Sequence, residues 1–172
     1  MGGMLSSVAT VAPEVSRRLG EARASFKSLN QCWSHANITR QRKCQLYHAY
    51  VTSRLLYGLE SLWLLQRDLH RLDAFHAQCL RKICHIPHSY VSRVSNADVL
   101  QTAGEVPMTR LFKSRQLSLY DRIIHMPEDS QLRRLTCEAG SDAPKIWASK
   151  RSRGRPKQQW ASCVYAMRTA IP

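Results

Sequence analysis

Apolar residues recur at Val15, Leu19, Ala22, Phe26, Leu29 and Trp33, at spacings of 4, 3, 4, 3 and 4 that place all six on one face of a helix. Pro13 stands just ahead of them, where a first helical turn tolerates a missing amide hydrogen. Thr39 is placed to cap a second helix, and the pattern runs on to about Leu65, some 27 residues or roughly 40 Å, with Gly58 as the point where it kinks or thins. A third helix is predicted from Asp68 to Cys84 with Leu69, Leu72, Phe75, Cys79 and Ile83 inward, and Pro87 forbids its continuation. Asn96 is read as the cap of a short helix ending near Gly104, and Pro107 opens another that runs to about Met126 before Pro127. Ser130 starts a short helix through Cys137, turn-formers fill Glu138 to Pro144, and Trp160, Val164, Met167 and Ile171 at spacings of 4, 3 and 4 mark a last one.

No strand pair, internal repeat or low-complexity tract competes with these helices. The expected fold is therefore all-α, an irregular helical bundle over 13–137, followed by a basic linker over 138–159 and a terminal amphipathic helix over 160–172. Residues 1–12 are small and apolar and read as a remnant strand or tail.

Charge changes the picture from fold to partner. The 172 residues carry 26 Lys and Arg against 12 Asp and Glu, a net +14, and 44% of them are apolar, enough to build a core. The excess charge must then lie mainly on the surface, which argues for a polyanion, nucleic acid first and an acidic membrane surface second. Half of that charge sits in residues 143–172, which hold seven basic side chains and no acid. The longest apolar stretch, Leu55 to Leu65, has 11 residues and contains Glu60, whereas a membrane span needs about 20, so no transmembrane segment is expected. Six scattered cysteines with no secretory signal ahead of them read as reduced thiols of an intracellular protein.

Three clusters bear on chemistry. Lys150-Arg151-Ser152-Arg153-Gly154-Arg155-Pro156-Lys157 puts five cations around a Gly and a Pro, and its extended Arg-Gly-Arg-Pro core is narrow enough for a minor groove, as in an AT-hook. The plain alternative is a solvated linker that touches phosphates without selectivity. On the second helix Lys43, Tyr47, Tyr50, Arg54 and Tyr57 fall at spacings of 4, 3, 4 and 3, a stripe of cations and rings suited to a nucleic-acid track, with Arg40 and Arg42 beside it. The alternative is that the tyrosines flank a core face of Cys44, Val51, Leu55 and Leu62 and keep their hydroxyls wet. Cys79, Cys84, His85 and His88 offer four possible metal ligands within ten residues, too crowded on one helix end to close a tetrahedron, so no metal and no cofactor are expected.

Catalytic sets are lacking. The sequence has no Gly-rich phosphate loop, no His-Glu-x-x-His pair and no Gly-x-Ser-x-Gly elbow, and its only adjacent carboxylates are Glu128 and Asp129. Glu60 in its apolar run reads as the one buried carboxylate, more simply a hydrogen-bond acceptor than a catalyst.

Taken in order, Glu14-Val15-Ser16-Arg17-Arg18-Leu19-Gly20-Glu21-Ala22, Phe26-x-x-Leu29, Trp33, Lys43-x-x-Leu46-Tyr47, Leu55-Leu56-Tyr57-Gly58-x-Glu60, Leu80-Arg81-Lys82-Ile83, Ser92-Arg93-Val94-Ser95-Asn96 and Arg153-Gly154-Arg155-Pro156-Lys157-x-x-Trp160 form an ordered set. This set resembles the region that follows the polymerase core in reverse transcriptases of non-LTR retrotransposons. There are departures: Trp63 stands three residues after Glu60 rather than two, Asp121-Arg122-Ile123-Ile124-His125-Met126 replaces a Gly-His-hydrophobic-x-Arg-Met element, and Cys84 stands where a glycine is common. Met1 to Ser7 resemble the family's Tyr-Leu-Gly-Ser strand, which places Met1 inside a longer ancestral frame. The aromatic-x-Asp-Asp metal motif of the palm is missing, so the resemblance implies a thumb-like bundle that grips template and nascent duplex without polymerising.

The expected function is thus non-catalytic binding of RNA or DNA backbone with little sequence preference. Arg40, Lys43 and Arg54 would act from the long helix, and Arg151, Arg153, Gly154, Arg155, Pro156 and Lys157 as a clamp. The remainder of a reverse transcriptase is the further partner that the resemblance implies. Two alternatives stand beside it: an AT-hook-like adaptor that favours A·T duplexes, and an orphaned interaction fragment that self-associates through the Val15-to-Trp33 stripe.

Overall fold

The computed structural model describes residues 11–35, 37–147 and 158–170. Among these the fold is all-α, with a single antiparallel bridge between Cys137 and Pro144 in place of any sheet. The helices are α1 (Ala12–Ser28), α2 (Asn30–Ser34), α3 (Arg40–Tyr47), α4 (Ser53–Leu56), α5 (Gln66–Ile83), α6 (Ser89–Ser92), α7 (Asn96–Ala103), α8 (Met108–Ile124), α9 (Gln131–Thr136) and α10 (Trp160–Thr169). No described helix is long and apolar enough to cross a membrane. All six cysteines are free thiols.

The chain divides into two compact units inside the stretch expected to be one bundle. One comprises the described residues up to Leu59 with Leu64–Phe112, and the other comprises Glu60–Trp63 with the described residues from Lys113 onward. In the first unit, α1 packs on α4 and α5, while α3 packs on α5 and α7. Every residue expected to point inward from α5 does so: Leu69, Leu72, Phe75, Cys79 and Ile83 are all buried. The second unit is built on Tyr120, Ile123 and Ile124 of α8, Cys137 and Val164 of α10, with Trp160, Tyr165 and Met167 packed against them.

Helix ends follow local chemistry, with three corrections to the sequence expectation. The first helix does not run on to Trp33: it stops at Ser28, Leu29 leaves helical geometry (φ −96°, ψ 21°), and α2 restarts at Asn30. That break brings Trp33 back onto Phe26, with ring centroids 4.9 Å apart and the indole N–H donating to the Phe26 carbonyl at 2.8 Å. The second helix is capped by Thr39, whose hydroxyl accepts from the Arg42 amide, but it ends at Leu56 rather than near Leu65. Gly58 at φ +74° is the reason, since a left-handed residue ends a helix instead of kinking it. The cap of α7 is Ser95, not Asn96: Ser95 and Asp98 close a reciprocal capping box, and Gly104 at φ +71° ends the helix as expected.

Between α3 and α4 the backbone widens to a π-helical turn over His48–Thr52. Such a turn spaces its hydrogen bonds one residue further apart, so side chains before and after it no longer share the face that ordinary helical spacing assigns. The buried positions record this: Tyr47, Val51 and Leu55 recur at every fourth residue, and all three are wholly buried.

Candidate nucleic-acid interface

The expected stripe of Lys43, Tyr47, Tyr50, Arg54 and Tyr57 is not one surface. Lys43 is only 4% exposed, and its ammonium donates to the Trp33 carbonyl at 2.7 Å. It is a structural tie between α3 and α2 rather than a phosphate contact. Tyr47 lies wholly inside, its hydroxyl hydrogen-bonded to His76 and its ring stacked on the same imidazole at 5.5 Å. Its hydroxyl is therefore dry. From the π turn onward the outward side chains are Tyr50, Arg54 and Tyr57, because the wide turn has rotated them away from the buried pair.

These three line one side of an open groove of about 700 Å³, whose other wall is α1 with Arg18, Glu21, Ser25 and Ser28. The Arg54 guanidinium lies over the Tyr50 ring at 4.2 Å and donates to the Ser25 hydroxyl at 3.0 Å. Arg18 sits over the Tyr57 ring at 5.4 Å. Arg18 itself is buried, and its Nε donates to Glu14 at 2.9 Å, so two carboxylates of α1, Glu14 and Glu21, set its position together with Arg17. The groove thus presents two rings, each facing an arginine, between packed helices. Such pairs supply a flat apolar surface and a cation together, the combination that bases and phosphates require.

Arg40 is exposed but elsewhere. It lines a separate cleft of about 650 Å³ with Cys44, His48 and Glu105, where His48 Nε2 meets the Glu105 carboxylate at 2.8 Å. The three helix cations expected to act together therefore occupy three environments: a cleft, the interior and the groove. Arg151, Arg153, Gly154, Arg155, Pro156 and Lys157 lie outside the described residues.

Among the described residues no three His, Cys, Asp or Glu side chains converge as metal ligands. Cys79 is core, its thiol pushed up to about 12 by burial, while His85 and His88 are exposed. Glu60 is not the one buried carboxylate: Glu14 and Asp68 are buried more fully, and Glu60 is half-buried with its backbone carbonyl accepting from the Trp160 indole at 2.8 Å.

Sequence reasoning missed the α1 wall of the groove. Arg17-Arg18 with Glu14 and Glu21 at spacings of three and four was the available signal, since such pairs hold arginines in place on a helix surface. It also missed Arg81, a buried guanidinium that donates to the carbonyls of Pro87 and Val94 and to Asn96 Oδ1, at 3.1, 2.6 and 3.2 Å. Comparison with protein-family models, with curated proteins and with solved structures finds no match.

Proposed function

We propose that this chain is a non-catalytic region of a non-LTR retrotransposon RNA-directed DNA polymerase that binds RNA or DNA backbone with little sequence preference. The observation that carries the reading is the groove in which Arg54 faces Tyr50 and Arg18 faces Tyr57, within a chain of net charge +14. Residues 22–59, which include its Tyr50, Arg54 and Tyr57, contain six basic side chains and no acid. The segment Lys150 to Lys157 adds five cations close in sequence to α10.

The family part of the proposal rests on the ordered motifs, several of which touch in space. Arg18 of the first motif lies over Tyr57 of the Leu-Leu-Tyr-Gly motif. Arg81 of Leu-Arg-Lys-Ile holds Val94 and Asn96 of the Ser-Arg-Val-Ser-Asn motif. Trp160 of the last motif binds the backbone of Glu60. Motif residues that also form each other's contacts behave as one structural set. With no Asp-Asp pair anywhere in the sequence, the proposed role is grip and not chemistry.

The test is binding of the full chain to single-stranded RNA, an A·T-rich duplex and a G·C-rich duplex, each across a salt titration. Similar affinities are expected for the two duplexes, with a steep dependence of about −0.9 per phosphate contact on duplex and about −0.7 on single strands. Replacing Arg151, Arg153, Arg155 and Lys157 with Ala should flatten the slope by up to about 3.6 on duplex and about 2.8 on single strands. An unchanged slope overturns the clamp, and a marked A·T preference favours the adaptor instead.

A further inference from the structure

We propose that the groove between α1 and α4 seats an unpaired nucleobase on the Tyr57 ring, with an adjoining phosphate at Arg54, so that the chain prefers single strands whose bases are free. The inference rests on the nucleic-acid reading above and names the form of the ligand. Three observations carry it.

The first is ring exposure. Tyr57 is 60% exposed although its ring lies against Arg18, and Tyr50 is 37% exposed although Arg54 lies over it. A tyrosine that only completes a core buries its ring and wets its hydroxyl, as the ring of Tyr47 is buried here, whereas these two rings keep open surface inside a concave site. Bases of a duplex are stacked on each other and cannot reach such a surface; an unpaired base can.

The second is support. Gly58 at φ +74° turns the chain directly after Tyr57, and the position that a Cβ on Gly58 would occupy lies 3.8 Å from Arg18 Nη2. The turn therefore keeps Tyr57 beside the arginine that backs it. Arg18 is in turn fixed by Glu14 at 2.9 Å. The platform is held before any ligand arrives, which spares the ordering cost of binding.

The third is charge and size. In the lining Arg54 donates to the Ser25 hydroxyl, while Arg18 is held by Glu14 at 2.9 Å and Glu21 by Arg17 at 2.5 Å, which leaves Arg54 as the exposed cation of the groove. The balance suits an anion, and about 700 Å³ accommodates a nucleotide within the usual range of small-ligand sites.

The experiment compares two short single strands of equal length and charge, one of thymidines with an internal 2-aminopurine and one abasic throughout. Wild type should bind the base-bearing strand about tenfold more tightly and quench the 2-aminopurine. Tyr57→Ala should erase both differences and leave abasic binding unchanged, and Tyr57→Phe, which keeps the ring, should retain them. Equal binding of the two strands by wild type overturns the base seat and leaves backbone binding standing. Equal weakening of both strands in Tyr57→Ala marks a structural tyrosine and likewise overturns it. Failure of both strands to bind overturns this inference together with the reading beneath it.

Discussion

The Tyr47 hydroxyl lies 2.9 Å from Nδ1 of His76, while Nε2 of the same ring lies 3.1 Å from the Val106 carbonyl. A carbonyl only accepts, so Nε2 carries the hydrogen of the neutral ring, Nδ1 is the acceptor, and Tyr47 donates. The arrangement links the second helix to α5 and to the chain between α7 and α8 through one imidazole. It satisfies both nitrogens without a charge.

A pH dependence follows. Burial foremost, then the neighbouring His48, lowers His76 from its ordinary 6.5 to about 4. The unfolded chain therefore takes up this proton before the folded one does. The contribution of neutral His76 is complete above pH 6.5 and is lost as the pH falls toward 4, amounting to roughly 3 kcal/mol at the acid end. The ring protons of His76, followed by NMR, should stay at their neutral positions down to about pH 5. A midpoint near 6.5 would refute the buried neutral ring.

Lys43 should matter for stability and not for binding. Lys43→Met keeps the stem and removes the ammonium that holds the Trp33 carbonyl, at a cost of about 1–2 kcal/mol in urea unfolding. The salt slope for RNA should stay at the wild-type value. Arg54→Met, which empties the groove of its exposed cation, should lower that slope by about 0.7 on single strands. A drop of that size in Lys43→Met would place the lysine at the nucleic acid after all.

How much of this was legible in the sequence depends on the π turn. The helices themselves were plain, because α5 repeats its apolar residues at strict helical spacing and Leu69, Leu72, Phe75, Cys79 and Ile83 are indeed buried. The proposed site was half legible: Tyr50, Arg54 and Tyr57 do share a groove, but Lys43 and Tyr47, assigned to the same stripe, lie inside. Helical arithmetic assumes one rotation per residue throughout, and five residues at His48–Thr52 break that assumption. Nothing in His-Ala-Tyr-Val-Thr announces a wide turn. Arg18 showed only as an ion-pair partner on its own helix and Ser25 not at all, since the wall they form exists only once α1 lies against α4.

Gly58 offers a test of the turn that ends the second helix. Its φ of +74° is open to glycine and strained for residues with a Cβ, yet a methyl group there meets nothing closer than 3.8 Å. Strain without a clash predicts a modest effect: Gly58→Ala should lose about 1 kcal/mol, and Gly58→Asn less, because asparagine tolerates the left-handed region. Urea unfolding with an unchanged m value checks it. A loss beyond about 3 kcal/mol would mean that the turn does more than set a dihedral.

Arg81 supplies the sharpest structural prediction, because its role depends on shape as well as charge. From the end of α5, where it is 7% exposed, it spreads its guanidinium across the Pro87 and Val94 carbonyls and Asn96 Oδ1. These acceptors lie before and after α6, so one side chain gathers the segment that joins α5 to α7. The planar fork reaches several acceptors in fixed directions, and a lysine ammonium cannot span them. Arg81→Lys should therefore cost about 2–3 kcal/mol although charge is conserved. Hydrogen exchange should locate the loss, with amides of 88–95 exposed first while those of the α5 interior keep their protection. If Arg81→Lys is neutral, charge alone holds this segment, and the contact between the Leu-Arg-Lys-Ile and Ser-Arg-Val-Ser-Asn motifs ceases to explain why both residues are what they are.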